Sequence, residues 1–457
     1  MSGSRHTMPA ADAAWLHMDS RTNPMVVNAL VRLASTPPYD RVAATIEERM
    51  VAAFPRFRQR VDDRLGRTPA FEDDPNFEIG NHVHRVALPA PGDRTVLEAK
   101  VGDLITPPLD PGKPLWHAYL IEGYGEGAAM LWRIHHSIAD GIALARVMLS
   151  ITDGPGVEHP EPPSSREPEH RSALGRLAAA PGQAASAART VAGAVVHEGT
   201  ASLAHPEHLR ELASGARRDA STVAKLLAAP ADAPTGLRRP LAGTRRVAWS
   251  EPFPLDRVKD SCHRRRVTVN DMLLTALAAT LAAQLGEGGE LPEEIHAMIP
   301  VNLRPLDRPV PAELGNDFAL VLLALPLGDH SPAERLRRVN AGMEELKHNH
   351  EAPISYGLLN AMGMTPPWVE ERLIGFFTDK ASMVVTNVPG PPRPLEFAGA
   401  PIESVLVWAP CSGSLGLTVS IFSYAGEVSA GFMADTALLA DPAPLARGFE
   451  AELARLC

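Results

Sequence analysis

Along residues 128–134 the chain alternates in a two-residue period. Met130, Trp132 and Ile134 fall on one face, and Leu131 and Arg133 on the other. The pattern predicts a strand that ends at a double histidine, and its period places His136 with the first set and His135 with the second. Adjacent histidines on a strand point in opposite directions, so only one can enter a given site. After the turn, Asp140 and Gly141 precede an apolar run over 142–148 that reads as a helix. Upstream, 25–33 reads as a strand and 39–53 as a helix. A second set of elements begins at Arg245, with helices over 269–285 and 332–348. Its strands are expected over 295–301, 318–327, 382–388, 404–408, 415–423 and 427–433.

Between the two sets the periodicity breaks. Residues 153–170 carry prolines at 155, 160, 162, 163 and 168 among Glu, Ser and His, a composition that cannot bury a core and reads as a linker. From Ser172 to Ala229 the chain is rich in Ala, with Leu and Val at helical intervals. A pair of surface helices crossing between domains and a membrane-facing amphipathic segment both fit that pattern. The expected division is therefore 1–152, carrying the double histidine; 153–244, a Pro-rich linker and Ala-rich helical crossover; and 245–457, a second mixed unit. The fold class expected is α/β with mixed sheets, and two αβ halves of comparable size place a site in the cleft between them.

Length agrees with this division, because 457 residues exceed one ordinary core. Hydrophobic residues at 45% and charged residues at 21% are the composition of a folded soluble protein. Lys and Arg number 44 against 54 Asp and Glu, a formal charge of −10 that gives no nucleic-acid footprint. Cys262, Cys411 and Cys457 form no CxxC-type pair, so neither a disulfide framework nor a thiolate zinc site is expected, and a reducing cytoplasm fits. The first fourteen residues lack the apolar core of a signal peptide. The apolar runs over 272–283 and 318–327 are far shorter than the ~20 residues of a spanning helix, so any membrane contact is expected to be peripheral.

Chemistry concentrates in His135-His136-Ser137-Ile138-Ala139-Asp140-Gly141. A strand end feeding a turn holds a base rigidly at a cleft, and imidazole, with an unperturbed pKa of ~6.5, suits proton abstraction near neutral pH. Metal ligation by His136 and Asp140 lacks a third His or carboxylate nearby, so no metal is expected. Asp140 also suits the N-cap of the following helix, and both histidines have the bland reading of satisfied structural residues. The composite His-His-x-x-x-Asp-Gly is far rarer by chance than its parts. Ser412-Gly413-Ser414 lacks the Gly-x-Ser-x-Gly spacing of a lipase nucleophile, and no cysteine has an activating context.

With those residues in view, the chain resembles the bacterial wax ester synthase/diacylglycerol acyltransferases, relatives of chloramphenicol acetyltransferase and of peptide-synthetase condensation domains. The resemblance runs through ordered segments covering nearly the whole chain. They include Thr22-Asn23-Pro24-Met25, Phe77-Glu78-Ile79, Pro114-Leu115-Trp116, the double-histidine segment and Asn270-Asp271. Pro300-Val301-Asn302-Leu303-Arg304-Pro305, Leu314-Gly315-Asn316, Asn387-Val388-Pro389-Gly390-Pro391 and Ser423-Tyr424-Ala425-Gly426 follow. His117 stands where a Glu is common in the family, a departure that bears on the acceptor and not on the reaction class.

The resemblance implies two chloramphenicol-acetyltransferase-like subdomains with the active-site tunnel between them. It implies His136 as the base, His135 as support for the turn, and Asp140 bound to a distant arginine that fixes the loop. Arg304 is the matching arginine, with a surface residue as its other reading. Asn270 either orients substrate and stabilises the oxyanion or simply begins a helix. Gly141 completes the turn, Trp116 lines the acyl channel or packs the domain, and Gly390 reads as a rigid structural turn. The implied activity is transfer of a fatty acyl group from acyl-CoA, a co-substrate with no bound cofactor, to a long-chain alcohol and/or diacylglycerol, giving wax ester and/or triacylglycerol. The alternatives are acylation of another alcohol or amine, and a non-catalytic lipid-binding relative. The expected location is cytoplasmic, with peripheral association to the inner membrane or to lipid bodies.

Overall fold

The computed structural model describes residues 5–64, 68–157, 159, 230–286, 291–303, 314–348 and 367–457. The Ala-rich crossover at 172–229 and Arg304 lie outside the described residues. The N-terminal half opens with β1 (Arg5–Thr7), α1 (Ala10–His17), β2 (Val26–Leu33) and α2 (Tyr39–Ile46). The α2 helix runs on into a π-helical turn at Glu47–Val51, which accounts for the single long helix read over 39–53. Then come β3 (Gln59–Asp62), β4 (Ala70–Asp73), β5 (Val83–Ala87), α3 (Arg94–Ile105), β6 (Trp116–Tyr124), β7 (Gly127–His135) and α4 (Gly141–Ser150). The C-terminal half contains β8 (Arg245–Trp249), β9 (Phe253–Pro254), α5 (Leu255–Arg265), α6 (Val269–Gly286), β10 (Glu294–Asn302), β11 (Phe318–Pro326), α7 (Pro332–His348) and α8 (Pro367–Thr378). It closes with β12 (Met383–Pro389), β13 (Glu396–Phe397), β14 (Ala400–Trp408), β15 (Leu417–Tyr424), β16 (Glu427–Asp435) and α9 (Ala443–Leu456).

Two mixed sheets organise these elements. The six-stranded sheet has the order β13-β14-β2-β7-β6-β5, and the seven-stranded sheet runs β11-β10-β12-β15-β16-β8 with β9 paired to β16. A small third sheet, β1-β4-β3, lies in the N-terminal half. Alternation along β7 is realised as the sequence pattern requires. Met130, Trp132 and Ile134 enter a core with Trp116, Ile138 and Val147, while Ala129 and Leu131 enter another. That second core joins the halves, since Leu30, Leu131, Leu406 and Trp408 of the six-stranded sheet meet Val247, Trp249 and Met433 of the seven-stranded one. Burial of so many large apolar side chains, at about 1.5–3 kcal/mol each, makes the joint between the halves a principal source of stability.

The chain does not divide in space as it does in sequence. Strands β13 and β14 belong to the C-terminal half by number, yet β14 pairs antiparallel with β2, from Ile402 opposite Leu33 to Trp408 opposite Asn28. The 230–244 stretch, expected as linker, is already docked on the C-terminal half. There Asp232 accepts from the His296 backbone N–H and from Ser382 Oγ, and Arg238 donates to Ala381 O at 2.6 Å. A strand's period says which face is buried but not which strand lies beside it, so this crossing is invisible in the pattern.

Among the described helices, α6 is long and apolar enough to cross a membrane by length and composition, at 18 residues. It is apolar on all sides because it is the central helix of the C-terminal core. Its residues Met272, Leu273, Leu274, Leu277 and Leu281 pack with Phe432, Phe449 and Leu453.

Candidate active site

Strand β7 ends at His135, and the His136 backbone N–H donates to Met25 O at 2.7 Å, anchoring the turn to the start of β2. Asp140 is the N-cap of α4: its Oδ1 accepts from Ala143 N at 2.8 Å, the usual device for an orphan donor in the first helical turn. Its Oδ2 accepts from Asp317 N at 3.0 Å, and its own N–H donates to Gly315 O at 3.3 Å. Asp140 therefore ties the histidine turn to the 314–318 segment of the opposite half. Gly315 has φ +108, a backbone conformation open to glycine, and lies beside the Asp12 carboxylate.

His136 is buried, with Nδ1 2.8 Å from Asn316 Oδ1. Asn316 Nδ2 lies 2.9 Å from Asp12 Oδ1 and 2.8 Å from the His136 carbonyl, and its backbone N–H donates to Asp12 Oδ1 at 3.0 Å. The imidazole is stacked on Trp15, with ring centroids 4.3 Å apart and planes at 22°, and Phe318 lies at 5.3 Å. Burial pushes the His136 imidazole well below its ordinary 6.5, against the opposing pull of the Asp140 carboxylate, a hydrogen bond to its own backbone and the hydrogen bond to Asn316. The ring is neutral at physiological pH, the form that accepts a proton.

His135 points the other way. Ser137 N–H donates to its Nδ1 at 3.1 Å, so the ring proton sits on Nε2, 3.6 Å from Asp19 Oδ1. Asp19 in turn accepts from Met25 N, so His135 helps brace the segment on which the His136 backbone hangs.

An arginine does hold the histidine turn, and it comes from the Pro55–Arg58 turn, which carries no motif. Arg56 donates through Nη1 to Ser137 O at 3.2 Å and Ile138 O at 2.7 Å, and pairs with Asp12 Oδ2 at 2.8 Å. Its guanidinium lies over the Phe71 ring. Arg304, expected opposite Asp140, lies outside the described residues.

Other residues singled out in the sequence fall elsewhere. Trp116 is buried in the N-terminal core, where its Nε1–H donates to Phe57 O at 2.7 Å and its ring stacks on His82. Asn270 sits in the first turn of α6. That turn is closed by a reciprocal cap, with Thr268 N–H donating to Asp271 Oδ2 and Asp271 N–H to Thr268 Oγ. Asn270 Oδ1 accepts from Asn387 Nδ2 at 3.0 Å, a link between α6 and β12 rather than to His136. Gly141 is the first residue of α4, and a Cβ there would meet open space. At Gly390 a Cβ would lie 2.2 Å from Ser423 O, so this position serves close backbone packing.

Asp12, Trp15, Arg56, Asn316 and Phe318 complete the site. Asn316 carries a signal in the sequence, within Leu314-Gly315-Asn316. Asp12, the one acidic residue of the Ala10–His17 helix, carries a weaker one.

Comparison with known proteins finds relatives along most of the chain. Residues 8–273 match the wax ester synthase/diacylglycerol acyltransferase catalytic domain, and residues 314–457 match the C-terminal domain of the same family. The chain is 30% identical over 414 residues to tgs1 of Mycobacterium tuberculosis, named as a diacylglycerol O-acyltransferase, covering 88% of this chain and 84% of that one. Another Mycobacterium tuberculosis protein named as a diacylglycerol O-acyltransferase is 31% identical over 468 residues, covering 97% and 89%. The solved wax ester synthase/diacylglycerol acyltransferase from Marinobacter aquaeolei VT8 has a TM-score of 0.68 at 25% identity, covering 98% of each chain. A condensation domain of the calcium-dependent antibiotic synthetase shares the fold, with a TM-score of 0.58 at 14% identity, covering 100% of this chain and 96% of that one. The chain is an acyltransferase and belongs to the wax ester synthase/diacylglycerol acyltransferase family.

Proposed function

We propose that the protein transfers a fatty acyl group from acyl-CoA to the hydroxyl of a long-chain alcohol or diacylglycerol, with His136 as general base. The observation that carries this reading is a buried imidazole held at the junction of the two halves, with Nδ1 2.8 Å from Asn316 Oδ1. An alcohol is a poor nucleophile at neutral pH, so its proton must leave as the bond to carbon forms. His136 takes that proton while the alcohol oxygen attacks the thioester carbonyl. The tetrahedral oxyanion then collapses, the C–S bond breaks, and the departing CoA sulfur receives the proton from the imidazolium. Both acceptors present a hydroxyl on an apolar body, which is why one site can serve either.

The direct test supplies purified protein with a long-chain acyl-CoA and, side by side, hexadecanol and diacylglycerol. Ester formation with at least one acceptor is expected. Activity confined to short polar alcohols or amines would move the enzyme to a different acceptor class.

The same chemistry predicts transfer without an acyl-enzyme. Covalent catalysis needs an activated nucleophile beside the base. Burial instead raises the thiol pKa of Cys262 to about 11 and of Cys411 to about 12, so neither is a thiolate at neutral pH. Kinetics should be sequential, and labelled acyl-CoA without acceptor should leave no stoichiometric label on the denatured protein. Stable labelling would contradict direct transfer and identify the nucleophile by its loss in a Ser or Cys variant.

A further inference from the structure

The site contains an amide whose orientation leaves only one assignment, and that assignment reaches through to the reacting nitrogen. One end of the Asn316 side chain faces two acceptors, the Asp12 carboxylate at 2.9 Å and the His136 carbonyl at 2.8 Å. A backbone carbonyl cannot donate, so this end is the NH₂ group. The other end, 2.8 Å from His136 Nδ1, is therefore the amide oxygen, an acceptor only. Nδ1 must carry the ring proton, and the lone pair is left on Nε2.

We propose that Asn316, anchored by the Asp12–Arg56 ion pair, is a positioning residue that locks His136 in the Nδ1–H tautomer and so makes Nε2 the base. The proposal rests on the reading of His136 as general base. Asp12 grips Asn316 twice, through its side chain and its backbone N–H, so the amide cannot turn over without losing a hydrogen bond to a charged group. Arg56 balances the Asp12 charge and also holds the Ser137 and Ile138 carbonyls. One ion pair thus fixes both the residue that sets the tautomer and the loop that follows the histidine. Trp15, on the same helix as Asp12, stacks on the imidazole and fixes its plane.

An amide suits this place better than a carboxylate. A carboxylate against Nδ1 would stabilise the imidazolium strongly in a buried site and favour a ring already protonated before substrate arrives. A neutral acceptor orients the ring while leaving it neutral.

The first experiment measures the wild-type ring and needs no substrate. The full chain labelled with ¹⁵N-histidine is examined at neutral pH by long-range ¹H–¹⁵N correlation, which distinguishes the two neutral tautomers and the imidazolium. The His136 signals are identified by their loss in His136→Gln. The expected result is a neutral ring protonated on Nδ1; an Nε2–H ring or an imidazolium overturns the proposal. This outcome is independent of the acceptor and of whether His136 is the base, so the two readings fail separately.

The second experiment is kinetic. Asn316→Ala should lower kcat about 10²-fold, while KM for acyl-CoA changes little, because a mis-set tautomer harms the proton transfer and not donor binding. Since the hydrogen bond to Asn316 raises the His136 pKa, its removal should also move the acid limb of the kcat/KM profile to lower pH. A merely structural Asn316 would leave that limb in place, and an Asn316→Ala enzyme with wild-type kcat would overturn the proposal. If that variant does not fold, the tautomer measurement on the wild-type ring still decides the matter.

Discussion

His136→Ala is expected to lower kcat by roughly 10²–10⁴, the usual worth of a positioned general base, in a protein that keeps its fold. The variant should still bind acyl-CoA, because the imidazole is called on only as the alcohol proton leaves. Some loss of stability accompanies the change: Asn316 Oδ1 loses its partner at 2.8 Å, and an unsatisfied buried acceptor costs about 1–3 kcal/mol. Circular dichroism and thermal unfolding separate that effect from catalysis. A folded variant with near-normal kcat would remove the central assignment.

The wild-type pH profile carries the same signature with a definite sign. The base must be unprotonated, and burial depresses its pKa below 6.5. Activity should therefore hold through pH 6.5 and decline only at lower pH. The stability linkage runs in the same direction. An unfolded chain binds the His136 proton near pH 6.5 and the folded one resists it. This contribution to stability is present above 6.5 and lost as pH falls toward the depressed value.

The second large effect is expected at Arg56. Replacing it with Met keeps most of the stem but removes the charge that balances Asp12, which is 0% exposed. Breaking a buried pair by removing one partner costs about 3–5 kcal/mol, because the remaining charge is left in a poorly solvating interior. The Ser137 and Ile138 carbonyls lose a donor at the same time, so the turn after His136 should loosen and activity fall with stability. Urea and thermal unfolding of Arg56→Met measure the loss. Adding Asp12→Asn in that background should recover part of it, since the orphaned charge is then gone. Unfolding of Arg56→Met indistinguishable from wild type would show that the pair carries none of the weight assigned to it.

The sequence by itself determined the local elements and the chemistry of one segment. The period-two pattern before the double histidine was enough to separate the His136 face of β7 from the His135 face, because alternation is a property of neighbouring residues. Helix α7 falls where the periodicity put it, at Pro332–His348. The ordered motifs were enough for the family, since each is contiguous in the chain. What the tertiary structure decided is everything that depends on residues far apart. Asn316 meets His136 across 180 positions and Asp12 across 304, and no period or spacing encodes such a meeting. Arg56 has no local pattern to mark it, and its partner is on another helix. The placement of β14 beside β2 has the same cause: alternation selects a buried face, while the neighbouring strand is chosen by the packing of the whole sheet. The segment that carries His136 can be read on its own, but the groups around its ring come from wherever the fold brings a buried charge, its counter-charge and an amide into contact.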